Sequence, residues 1–290
     1  MRLEIIFSEN ANHKENQMRP IRIVLLALVA AILVGCGTSS TVPITGRKRT
    51  LMVSDEQVLS LSNEQYNQYM RTAKPSTNAA NTAMVKRVGQ NLANAVVAYL
   101  NANGLGSEVS QYKWEFNLVQ DQQVNAFCMP GGKIVVYTGM LNLIGNGKDR
   151  DDMLAAVIGH EVGHAIAKHG NERASQQLLA QLGSSVLGAA VANKSEKTQQ
   201  AVAVAYGLGA QYGALLPFSR KQELEADYIG IVLATLAGYE ANAAITLWEK
   251  MSAVSQSTTA EFMSTHPSST TRIAQLKKDI PEVKKQLGVK

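Results

Sequence analysis

Three of the five histidines in this 290-residue chain lie within ten positions of one apolar run, VIGHEVGHAIAKHG. Apolar residues recur at helical spacing over residues 151–169, which predicts a helix that stops at Gly170. At about 100° per residue, His160 and His164 project from one face about 40° apart, whereas His169 lies about 180° from His160. Two imidazoles can therefore share one ion, and His169 cannot join them from the same helix.

Glu161 completes the pattern H-E-x-x-H. Glu161 lies between the two histidines, where it would stand beside a bound ion without being a ligand. In this pattern the two histidines bind zinc and the glutamate acts as the general base. A helix that merely carries polar residues is the alternative. Burying two histidines and a glutamate on an apolar helix without a partner is costly, however. The pattern therefore indicates a metal site and requires a third ligand elsewhere.

Catalytic zinc takes three protein ligands and keeps one position for water. The longer pattern H-E-x-x-H-x-x-G-x-x-H is excluded, because this chain has Ala167 and Gly170 where that pattern needs Gly and His. The remaining source is a carboxylate on a second helix. The stretch PFSRKQELEADYIG predicts such a helix, with Ser219 and Gln222 as a capping box at its start.

Glu223 and Asp227 lie one turn apart on one face of this second helix. Glu223 can bind the ion while Asp227 accepts the second ring N–H of a ligating histidine. Glu225 projects about 200° away from Glu223 and is the poorer ligand candidate.

The motifs GHEVGHAIAKH and SRKQELEAD resemble those of the HtpX-like and CAAX-prenyl-protease-like family of gluzincin zinc metallopeptidases, including its periplasmic lipoprotein members of the LoiP and BepA types. The likeness extends to VKRVGQNLA, VNAFCMPGGKIVVYTGML and THPSSTTRI, and covers most of the chain from Gly46 onward. The resemblance implies one zinc ion per chain. Its ligands would be His160, His164 and Glu223, with Glu161 as base and Asp227 in support.

Two stretches before the histidine helix, KWEFNLV and QVNAFCM, alternate in the manner of strands, and a Pro-Gly-Gly turn leads into KIVVYTG. An exposed edge near the metal can bind an extended peptide by main-chain pairing. The resemblance implies that role for Asn125, Ala126 and Phe127. An ordinary core hairpin is the alternative.

The rest of the chain predicts helices. Ser54 and Gln57 form a capping box for a helix to about residue 71, a second helix reaches about residue 101, and Ala-rich segments follow at 171–192 and 199–212. The predicted fold class is α+β and mostly helical. We expect a gluzincin-type metallopeptidase domain over residues 51–290, with a small antiparallel sheet packed on the H-E-x-x-H helix.

The N-terminal stretch MRPIRIVLLALVAAILVGC contains an apolar run that suits a signal peptide and is too short to span a membrane. Its end resembles a bacterial lipobox, which implies cleavage before Cys36 and a lipid on the Cys36 sulfur. We expect a signal peptide at 1–35, with Met18 as the true start, and a lipidated tether at 36–50. An uncleaved anchor helix is the alternative.

The formal net charge of +5 is mild, so the basic residues are expected on solvated faces and not on nucleic acid. We expect a peptide hydrolase on the periplasmic side of the envelope, held at the outer membrane because Gly37 follows Cys36, and acting on misfolded or misassembled envelope proteins. A zinc-fold chaperone or assembly factor with little turnover is the alternative. A structural zinc site is disfavoured, since such sites usually have four ligands and often cysteine.

His266 lies in the Ser/Thr-rich segment MSTHPSSTTRI. Pro267 holds the preceding residue extended and so presents His266 outward. Three roles are open for His266. It could be a solvated loop residue, or it could donate a hydrogen bond to the oxyanion that forms on the peptide carbonyl, a task that Arg272 could share or perform instead. In the third role it binds the open position of zinc and keeps the enzyme latent. Between the two functional interpretations we favour the blocking role, because such a loop moves easily.

Overall fold

The computed structural model describes residues 38–192, 194–200, 216–255, 266 and 269–289. The described chain begins with an antiparallel hairpin, two long helices and a 3-10 helix: β1 (Thr38–Thr41), β2 (Lys48–Leu51), α1 (Asp55–Thr72), α2 (Ala79–Ala102) and Gly106–Gln111. The predicted capping box is present at the start of α1, where Ser54 accepts from the Gln57 N–H and the Gln57 side chain accepts from the Ser54 N–H.

A three-stranded sheet and six helices follow: β3 (Glu115–Val119), β4 (Ala126–Met129), β5 (Lys133–Tyr137), α3 (Thr138–Ile144), α4 (Arg150–Ile166), α5 (His169–Val191), α6 (Leu216–Leu236), α7 (Ala243–Ser255) and α8 (Ser269–Leu287). The mostly helical α+β class predicted from the sequence is confirmed. Within the described ranges, no helix is both long and apolar enough to cross a membrane.

The sheet has the order β3-β5-β4, with β3 parallel and β4 antiparallel to β5. The antiparallel pairing predicted for this small sheet holds for β4 and β5, which are joined by a tight turn, but not for β3. The alternation of apolar and polar residues along a segment identifies it as a strand, but it does not show which strands lie beside it or in which direction they run. β5 is buried along its whole length, as suits a central strand, and β4 forms the edge that packs against α4.

The N-terminal hairpin is packed into the domain. Val42 is 1% exposed and Arg49 is 3% exposed, and Nη1 of Arg49 donates to the carbonyl of Ile166 at 3.0 Å. The hydroxyl of Ser175 accepts from the backbone N–H of Met52 at 2.8 Å. Residues 38–50 are thus a folded part of the domain, in contrast to the tether expected over 36–50. The expected signal peptide and Cys36 lie outside the described residues.

Helices α4 and α6 pack with their backbones almost in contact. A Cβ atom on Gly163 would lie 2.7 Å from the carbonyl oxygen of Ala226, and one on Gly230 would lie 2.9 Å from the carbonyl carbon of Gly159. Any larger side chain at these glycines would push the helices apart. This close approach places the histidines of α4 directly beside the carboxylates of α6.

The histidine helix ends earlier than the sequence predicts. Helix α4 stops at Ile166, and Lys168 adopts a left-handed conformation with φ of 55°. Nζ of Lys168 pairs with Asp55 at 2.6 Å, which holds this turn against α1. Helix α5 then begins at His169, so Gly170 lies inside a helix and the prediction that it stops one is wrong.

The capping box predicted for α6 is also wrong. The helix already includes Leu216, so Ser219 lies within it. The Gln222 amide donates instead to Glu172 at 3.3 Å and to the carbonyl of His169 at 3.4 Å. Apart from its first two residues, the helix predicted at 199–212 lies outside the described part of the chain, as does the segment around His266.

Candidate metal centre

Four side chains meet where α4 crosses α6. His160 and His164 come from α4, Glu223 comes from α6, and His266 joins them from the segment between α7 and α8. One ligand atom from each lies within 4.8 Å of the other three. The sequence-predicted ligands are therefore together, and His266 stands beside them rather than in solvent.

The separations of the donor atoms suit a tetrahedral ion. Nε2 of His160 lies 3.1 Å from Nε2 of His164 and 3.2 Å from Nδ1 of His266. The carboxylate of Glu223 lies 3.3 Å from Nε2 of both α4 histidines. Donor atoms about 2.0–2.1 Å from a central zinc ion stand about 3.3 Å apart at the corners of a tetrahedron. The separations among His160, His164 and Glu223 are therefore compatible with a shared metal ion of this kind.

The electrostatics of the cluster favour positive charge at its centre. Burial and the charge of Arg272 lower the pKa of His160, but hydrogen bonds to Asp227 and Glu223 outweigh both and raise it to about 9. The two carboxylates beside His160 thus favour a positive charge there. Burial keeps the pKa of His164 well below its usual value, so that ring is neutral and able to bind a metal.

Asp227 and Arg272 are hydrogen-bonded to each other behind the predicted ligands. Asp227 lies 2.9 Å from Nδ1 of His160 and receives two hydrogen bonds from the Arg272 guanidinium, at 2.6 and 2.5 Å. Arg272 also donates to Glu223 at 3.0 Å, and its guanidinium carbon lies 3.4 Å from the centre of the Trp248 ring. Arg272 is 2% exposed and turned towards these carboxylates. Arg272 thus faces Asp227 and Glu223, and the oxyanion role considered for it stays a prediction.

Glu161 lies beside the cluster but outside it. The side chain is buried, and the backbone N–H of Cys128 donates to its carboxylate. Its Oε1 atom accepts no hydrogen bond within the described chain, and Nε2 of His266 lies 3.6 Å from it. Burial raises the pKa of Glu161 above its usual value. A buried carboxylate oxygen of this kind needs a polar partner such as water or substrate.

Two residues that sequence analysis set aside are part of the site. The turn at Lys168 brings Nδ1 of His169 to 2.9 Å from Nδ1 of His164, and Nε2 of His169 lies 3.0 Å from Glu225. The sequence prediction placed His169 away from His160 and His164 because it was based on one unbroken helix through residue 169. Other polar residues surround both in the sequence, so the local pattern did not mark them.

Strand β4 presents an edge beside Glu161. The carbonyl of Asn125 accepts from the Tyr137 N–H of β5 at 3.0 Å. Because alternate residues of an antiparallel strand bond to the same neighbour, Phe127 also faces β5, whereas Ala126 and Cys128 direct their backbone groups outward. Of the three residues predicted to bind substrate, only Ala126 turns its backbone groups outward.

Comparison with protein families matches the profile of Peptidase family M48 to residues 79–280. The chain belongs to peptidase family M48. The matched stretch runs from α2 into α8 and contains all four residues of the metal cluster. The family resemblance of the motifs is thereby confirmed.

Curated relatives of this M48 chain have peptidase names. The Mitochondrial metalloendopeptidase OMA1 of Schizosaccharomyces pombe is 38% identical over 178 residues, which cover 61% of this chain and 49% of the relative. The Metalloprotease LoiP of Escherichia coli is 26% identical over 87% of this chain and 94% of its own length. The Beta-barrel assembly-enhancing protease of Yersinia pestis is 27% identical over 86% of this chain and 50% of its own. The chain thus spans about half the length of the first and third.

Proposed function

We propose that this M48 chain is a zinc-dependent endopeptidase that hydrolyses peptide bonds in extended polypeptides. One observation carries the proposal: four metal-binding side chains meet beside the unpartnered carboxylate oxygen of Glu161. His160, His164 and Glu223 would hold zinc, since two imidazoles and a carboxylate are a donor set typical of catalytic zinc. Bound zinc supplies an acidified water and polarises a peptide carbonyl.

Glu161 is the proposed general base. Its raised pKa favours both accepting a proton from the attacking water and returning that proton to the departing amine. The hydrogen bond from the Cys128 N–H holds one side of the carboxylate, which leaves Oε1 directed at the cluster. Strand β4 thereby positions the base as well as forming the edge of the sheet.

The same strand is the proposed substrate edge. A peptide in extended conformation would pair with the N–H and C=O of Ala126 and with the C=O of Cys128, adding a strand to the sheet. The backbone groups of Asn125 and Phe127 act within the sheet instead. Main-chain pairing is tolerant of side-chain identity, which suits an enzyme that removes unfolded proteins of varied sequence.

The proposed location is the periplasmic face of the outer membrane, with the chain held by a lipid on Cys36. The lipobox-like end of the leader supports this, as does similarity to a Beta-barrel assembly-enhancing protease, and the proposed substrates are unfolded or misassembled envelope proteins. Palmitate labelling of wild type and Cys36→Ala in a bacterial envelope tests the anchor, and equal labelling of the two would refute it.

Digestion of unfolded, reduced casein by the full chain tests the peptidase function. We expect fragments that disappear with a zinc chelator and return when zinc is restored, because the bound ion is needed to activate water. Folded lysozyme with its disulfides intact should survive, since an edge strand accepts only extended chain. Zinc binding without casein cleavage, in wild type and in His266→Ala alike, would replace the peptidase proposal with the chaperone alternative.

His266 is proposed to hold the enzyme latent. Its Nδ1 lies 2.9 Å from Glu223 and 3.2 Å from Nε2 of His160, where a fourth ligand would stand. We expect His266→Ala to speed casein cleavage by about tenfold, which corresponds to a preference of about 1.4 kcal/mol for the blocked state. Thr270→Ala, an exposed change on α8, is the control and should leave the rate unchanged. Slower cleavage by His266→Ala would favour the oxyanion role instead.

A further inference from the structure

We propose that His169 and Glu225 are positioning residues that set the ring orientation and tautomer of His164, and that the N-terminal hairpin holds Glu225 through Thr45 and Arg47. This inference rests on the proposed metal site. It extends the set of residues that support this site to the N-terminal hairpin.

Glu225 can only accept hydrogen bonds. Nε of Arg47 and the hydroxyl of Thr45 both donate to its carboxylate, and a carboxylate paired with a guanidinium in this way is ionised. An ionised carboxylate has no proton to donate. Nε2 of His169, 3.0 Å away, must therefore carry the proton of that contact.

His164 can bind zinc through Nε2 only if its own ring proton lies on Nδ1, so the Nδ1 atom of His169 that faces it must lack a proton. The buried His169 ring therefore carries a single proton, the one donated to Glu225. With that proton on Nε2, its Nδ1 is a bare acceptor. The Nδ1 atom of His164 lies 2.9 Å from this acceptor and must be the donor. The proton of His164 therefore sits on Nδ1, and its Nε2 lone pair faces Glu223 and His160.

The two α4 histidines are thus oriented by two carboxylates of the same helix. Asp227 accepts directly from Nδ1 of His160, at 2.9 Å. Glu225 acts on His164 through the intervening ring of His169. Residues that fix the second ring nitrogen of a metal histidine generally control both its tautomer and its metal affinity. We call this chain of hydrogen bonds from Glu225 through His169 to His164 the relay. It orients the ring of His164 as Asp227 orients the ring of His160.

The hairpin anchors the far end of the relay. Thr45 donates to Oε1 of Glu225 at 2.5 Å, and Nε of Arg47 donates to Oε2 at 2.7 Å. The other two nitrogens of Arg47 make a forked pair with Glu172 at 2.8 and 2.7 Å. Forked pairs of this kind fix direction as well as charge. The loop between β1 and β2 therefore holds the Glu225 carboxylate towards His169.

Zinc affinity, measured on the full chain by competition with a chromogenic chelator, tests the relay. His169→Leu removes both contacts and should weaken zinc binding about 10–100-fold. His169→Gln offers an amide oxygen to His164 and an amide N–H to Glu225, and should recover about tenfold of that loss. Ser175→Ala removes the hydrogen bond to the N–H of Met52, which follows β2 and contacts no residue of the relay, and should bind zinc as wild type does. Equal affinities for the leucine and glutamine variants would overturn the proposal.

The ring nitrogen resonances of the metal-free wild-type chain provide a second measurement. We expect His164 protonated at Nδ1 and His169 protonated at Nε2. A proton on Nε2 of His164 would overturn the relay even if casein is cleaved. Wild-type protein could show the expected tautomers and zinc affinities but no peptidase activity. That result would support the relay and refute the proposed function, so the experiment distinguishes failure of one from failure of the other.

Discussion

Glu161→Gln lowers the turnover of unfolded casein by about 10²–10⁴-fold while zinc stays bound. This corresponds to a barrier increase of about 2.7–5.5 kcal/mol. The amide has the size of the carboxylate and still accepts the hydrogen bond from the Cys128 N–H, but it cannot take a proton from water. The measurement is the initial rate of casein cleavage at saturating zinc, with metal content determined on the same samples.

The exposed change Glu64→Gln, on α1, is the matched control, since it removes the same charge far from the cluster. Its turnover should equal that of the wild type. A wild-type rate in Glu161→Gln would show that another group accepts the proton, and the mechanism proposed for Glu161 would be wrong.

Glu223→Ala abolishes stable zinc binding. The change removes the only acidic ligand of the cluster and leaves His160, His164 and Arg272 close together with less negative charge to offset them. We expect the dissociation constant for zinc to rise by more than the roughly 100-fold that loss of a supporting residue can cause. Metal analysis after dialysis against a weak chelator is the measurement.

Glu161→Gln serves as the comparison for this second variant, because it alters a neighbouring buried carboxylate that is not a proposed ligand. Circular dichroism of Glu223→Ala verifies that the helices persist. Retention of one zinc ion per folded Glu223→Ala chain at wild-type affinity would remove Glu223 from the ligand set.

Local patterns in the sequence predicted which side chains of the site share one face of a helix. His160 and His164 share a face because of their i, i+4 spacing, and so do Glu223 and Asp227. The structure brings these two faces together across α4 and α6. The Ser54 capping box was likewise readable, since its partners are three residues apart. Each of these features needs only the geometry of one turn.

Contacts between distant segments were decided by the tertiary structure alone. The left-handed turn at Lys168 pairs with Asp55, more than a hundred residues earlier, and it carries His169 back to His164. The role of Glu225 depends on Arg47 in a hairpin that looked like a tether. Periodicity fixes directions around a helix axis but holds no information on which distant element packs there. For that reason the proposed ligands could be named from the sequence, whereas the network proposed to orient His164 could not.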